Sequence, residues 1–99
     1  MKNEYPYFDS TAEFYADAEQ VVADLRSWQG SDALQKQMSQ LADKLAEGLR
    51  IVRRGGNLDQ SFCDELDGLL GASGMNAQET GDTQLENRVL AVESWMIWA

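Results

Sequence analysis

Residues Ser31 to Gly56 read SDALQKQMSQLADKLAEGLRIVRRGG, and the reading of this stretch decides the fold. Leu34, Met38, Leu41, Leu45, Leu49 and Val52 recur at steps of three and four, which places them on one stripe of an α-helix. Ser31 or Asp32 can cap its start by accepting bonds from backbone N–H groups that have no helical partner. Arg50, Arg53 and Arg54 fall in the last turns, where positive charge suits the negative end of the helix dipole. Gly55 then offers the left-handed residue that commonly ends a helix. A helix over 32–54 would run about 34 Å at about 1.5 Å per residue, long enough to be the spine of a small bundle.

Outward from this spine, three more apolar stripes follow. Before it, Ser10 and Glu13 form a capping box, and Phe14, Ala18, Val21, Val22, Leu25 and Trp28 make a helical face that Gly30 closes. The spine starts at once, so the two helices should form an antiparallel hairpin with a very short link. After it, Gly55-Gly56-Asn57 is a break, with Asn57 and Gln60 a weak cap pair for a stripe of Leu58, Phe62, Leu66, Leu69 and Leu70. Gly68 and Gly71 soften the end of that helix, and residues 71–82 read as a loop that Met75 pins to the core. Thr83 with Glu86 offers a further capping box, and Leu85, Val89, Val92 and Met96 form the last stripe.

The expected architecture is therefore all-α: a small four-helix bundle built on an antiparallel helical hairpin, with helices near 10–29, 32–54, 58–70 and 83–98. Residues 1–99 form a single domain, with an extended lead-in over 1–9 that Pro6, Tyr5, Tyr7 and Phe8 settle onto the bundle. Tyr15, Trp95 and Trp98 add to the aromatics near the two ends of the chain; they are read first as core closure, and otherwise as an anchor for a partner.

The chemistry available is sparse. There is no histidine, which removes the usual general base near neutral pH and most metal sites. Cys63 is the single cysteine, so no internal disulfide forms and a reducing, cytoplasmic setting is the expectation. It reads as a small packed hydrophobe rather than a nucleophile. The glycines match neither a phosphate-binding loop nor a dinucleotide fingerprint, and Asp64-Glu65-Leu66-Asp67-Gly68 lacks the alternating ligands of a calcium loop. Neither an enzyme nor a cofactor is expected.

Charge is more telling. Seventeen acidic residues against eight basic ones give a net charge of −9, which repels phosphate and anionic lipid. Direct binding to nucleic acid or membrane is a poor expectation, and no apolar run is long enough to cross a bilayer. Arg50, Arg53 and Arg54 before a glycine turn loosely suggest a helix-turn-helix. The following helix carries Asp59, Asp64, Glu65 and Asp67 and would meet phosphate with like charge. Between Gly55 and Asn87 there is no base at all, while Asp59, Asp64, Glu65, Asp67, Glu79, Asp82 and Glu86 bring seven acids. In the first helix Glu13, Asp17 and Asp24 fall together beside the apolar stripe.

Such rows of carboxylate can imitate phosphates and engage a basic groove; the bland alternative is a solvated face, or pairing with Lys44 or Arg26 inside the fold. The sequence points to a basic protein surface as partner, with Glu13, Asp17, Asp24, Asp59, Asp64, Glu65 and Asp67 as the contact residues. In size and charge alone the chain is similar to phage anti-CRISPR and antirestriction proteins of the DNA-mimic kind, which implies a small inhibitor of a nucleic-acid-handling complex. The alternatives are an immunity or antitoxin protein that plugs a toxin, and an adaptor or chaperone-like homodimer held by its apolar seam.

Overall fold

The computed structural model describes residues 11–74 and 80–98, and these form four α-helices. They are α1 (Thr11–Arg26), α2 (Asp32–Arg53), α3 (Gln60–Ser73) and α4 (Thr83–Trp98). The expected all-α bundle is the observed one. The 1–9 lead-in, the Ser10 cap, the Met75 contact and the side chain of Trp98 lie outside the described residues.

The spine is α2, which packs against α1, α3 and α4, while α1 also packs against α4. It has 22 residues, in a molecule measuring 36 × 28 × 20 Å. Each helix buries one stripe for the reason given by its spacing. The core consists of Phe14, Ala18, Val21 and Leu25 from α1, and Met38, Leu41, Ala42, Leu45 and Leu49 from α2. Phe62, Leu66 and Leu70 join from α3, and Leu85, Val89, Val92 and Met96 from α4. Leu34, Val52, Val22, Trp28, Leu58 and Leu69, also assigned to these stripes, are partly buried at the margins. Two expected aromatics close the core: Trp95 stacks on Phe14 with centroids 4.3 Å apart, and Tyr15 packs against the same ring at 5.1 Å.

The start of α2 is capped by Ser31, whose hydroxyl accepts from Leu34 N. At its end Gly55 N–H donates to Val52 O and Gly56 N–H to Ile51 O, with Gly55 at φ +84°. These two bonds are a Schellman closure, and the second orphan-carbonyl bond is what turns the chain away from the helix axis.

Three boundaries and one cap differ from expectation. First, α1 stops at Arg26 rather than running to residue 29. Trp28 leaves the helix and its carbonyl is taken by the Gln35 amide at 3.1 Å, so residues 27–31 form the link. The Trp28 ring lies over Gly30, where an added Cβ would sit 2.1 Å from ring carbon Cζ3. Second, α3 starts two residues later than expected because Asp59, not Asn57, is its cap, accepting from Phe62 N at 2.8 Å. Third, α3 runs through Gly68 and Gly71 to Ser73 and ends at Gly74 (φ +79°), which shortens the expected loop. Fourth, the α4 cap is Asp82 accepting from Leu85 N, rather than Thr83. Glu86 is buried and reaches instead to the backbone N–H and hydroxyl of Thr80.

Candidate functional site

The acidic row of α1 does stand on one face, as the helical spacing requires, and that face turns toward α4. Arg88 of α4 meets it there. Its Nη1 donates to Asp24 Oδ2 at 2.8 Å and its Nη2 to Asp17 Oδ1 at 3.3 Å. Gln20, one turn before Asp24, donates to the other oxygen of that carboxylate at 2.9 Å. The Gln20 amide and the Arg88 guanidinium together hold the Asp24 carboxyl below its usual range. Asp17 keeps one oxygen, Oδ2, buried and without a hydrogen-bond partner. Glu13 remains exposed at the start of the row.

The second acidic set is differently employed. Asp59 is bound to the first turn of α3 as its cap, and Asp64 accepts from Gln60 at 2.8 Å. Glu65 accepts from Lys44 of α2, whose ammonium also lies 4.3 Å from the centre of the Phe62 ring. The Glu65 bond raises the Lys44 pKa above its ordinary value. Asp67 is exposed, and its charge adds to burial in raising the Glu93 carboxyl of α4 above its ordinary value.

The two sets do not merge into one surface, since α1 and α3 pack on α2 and touch each other at most marginally. Asp59 and Glu65 come together with Lys44, Glu47, Asn57 and Ser61 around a hollow at the α2–α3 turn. A further open groove, between α1 and α2, has a floor of Val22, Ala46 and Leu49 with Arg50, Arg53 and Glu19 on its rim. Arg53 there bonds Glu19 at 3.1 Å and lies 4.3 Å over Tyr15, so the arginines of the spine do more than suit its dipole.

Of the two bases the charge pattern offered, Lys44 does hold an acid of these sets, Glu65, whereas Arg26 holds Asp43, outside both; Asp17 and Asp24 of the α1 row are held by Arg88. Arg88 was the residue that sequence reasoning missed. Its signal was present, because it is the single base after Arg54 and the acids around it need one. Among the described residues no three acidic or cysteine side chains are grouped as metal ligands would be, and Cys63 is half-buried. No described helix is long and apolar enough to cross a membrane.

What remains for a partner is clearest on α3. Its outward face carries Asp64, Asp67, Gly68 and Gly71, all exposed, with no basic residue on the helix. A Cβ added at Gly68 or Gly71 would meet nothing within 4 Å. Comparison with protein-family models, with curated proteins and with solved structures finds no match to this chain.

Proposed function

We propose that this chain is a non-enzymatic acidic binding module that occupies a basic, nucleic-acid-binding surface of a larger protein complex, with the outward face of α3 as its contact. The observation that carries this reading is the pairing of Asp64 and Asp67 with the open backbone at Gly68 and Gly71. Carboxylates recognise a basic groove, and the missing side chains let the groove wall approach the helix closely. The fold itself does not call for either glycine. The Glu13, Asp17 and Asp24 row supports the same reading less strongly, because two of its members already hold Arg88.

The test is retention of partners from a host lysate at low and high salt, comparing the unaltered chain with an Asp64→Lys/Asp67→Lys variant. The reading expects a basic nucleic-acid-handling complex, captured at low salt, displaced by added DNA or RNA, and lost with the double reversal. Capture that the reversal leaves intact would remove α3 from the role. A single enzyme held through high salt would point instead to an immunity protein, and recovery of the chain alone to a homodimer.

A further inference from the structure

We infer that Arg88 is a removable pin: its ion pairs with Asp17 and Asp24 hold α4 against α1, and their loss lets α4 swing out as a unit while α1, α2 and α3 stay together. The first support is the layout of ion pairs. Among the described residues, α4 is tied to another helix by Arg88, whereas Arg26–Asp43 and Arg53–Glu19 tie α1 to α2, and Lys44–Glu65 ties α2 to α3. Three helices therefore keep their own ties when Arg88 lets go. They also keep apolar contacts that do not involve α4, since α2 packs directly on both α1 and α3.

The second support is what the pin leaves behind. Without Arg88 the remaining charged residues of α4 are Glu86 and Glu93, and they sit on a helix packed against the acidic row of α1. Asp17 already has one buried oxygen with no partner, and losing Arg88 would strip the other as well. A half-buried carboxylate without its cation is destabilised, and an opening of α4 brings the buried Asp17 Oδ2 to water. The pin is only partly covered, with Arg88, Asp17 and Asp24 side chains 27%, 31% and 36% exposed, so dissolved salt reaches it.

Hydrogen–deuterium exchange read peptide by peptide tests this on the intact chain. From about 0.1 M to about 1 M NaCl the screening length falls from about 10 Å to about 3 Å. The amides of α4 should then exchange several-fold faster while those of α2 and α3 hold their rates. Arg88→Met should give α4 exchange on the order of tenfold faster at both salt concentrations and so abolish the salt response. Lys44→Met, which removes a tie elsewhere, should leave the salt response of α4 in place. If Arg88→Met does not fold, the salt series on the unaltered chain still decides. Exchange of α4 that is indifferent to salt, or that rises in step with α2 and α3, would overturn the inference.

Discussion

Three glycines inside helices show how one residue type can serve opposite ends. Gly48 is buried in α2, where an added Cβ would lie 3.1 Å from Phe62 Cζ and 3.2 Å from Met96 Sδ. It is the point where side chains from α3 and α4 converge on the spine. Gly48→Ala gains about 1 kcal/mol of helix propensity, but crowding a packed contact costs about 1–3 kcal/mol. We expect a net loss of stability in urea unfolding. Gly68→Ala and Gly71→Ala meet open space, so each should gain about 0.5–1 kcal/mol. A carboxyl gives the other prediction at this scale. The Glu93 pKa is raised in the fold, first by burial and then by Asp67, so its charged form works against folding. That unfavourable contribution is present at neutral pH and is relieved as pH falls through the raised value. Glu93→Gln should therefore raise the melting temperature at pH 7, and the advantage should vanish in acid, below the ordinary glutamate pKa. Asp24 runs the opposite way: its pKa is lowered, so its stabilisation holds above the ordinary aspartate value and is lost as pH falls through the lower one.

At the level of the element, the stripes were legible and the ends less so. Spacing alone placed Met38, Leu41, Leu45 and Leu49 in the core because a helix repeats every 3.6 residues whatever its neighbours do. Ends depend on single hydrogen bonds, and several residues competed for each. Asp59 displaced Asn57 as the cap of α3 because a carboxylate suits the positive end of the helix dipole better than an amide. Asp59→Ala should accordingly cost about 1 kcal/mol, measured as a shift in the urea midpoint at unchanged slope. Gly68 and Gly71 looked like stop signals, yet a glycine weakens a helix without ending it when its neighbours are held by packing, here Leu66 and Leu70. The early exit of α1 at Trp28 had no local signal. It depends on Gln35 from the next helix, a contact that exists only once the hairpin has closed.

For the whole molecule, the candidate contact residues were legible as acids and illegible as surface. Counting charges identified Asp17 and Asp24, but which acids stay free is decided by which bases fold back on them, a three-dimensional matter. The set of described ties has a consequence for the arrangement of the helices. Greasy stripes bind one another with little discrimination, and four amphipathic helices can be stacked in more than one order, or in mirror-related turns, at similar apolar cost. The ties are not interchangeable in this way. Arg26 needs Asp43, Arg53 needs Glu19, Lys44 needs Glu65, and Arg88 needs two carboxylates of the first helix. A stack that put the fourth helix on the far side of the spine would strand Asp17 and Asp24 without a cation. The few bases of the chain act as an address system: they tell this stack of helices from its look-alikes.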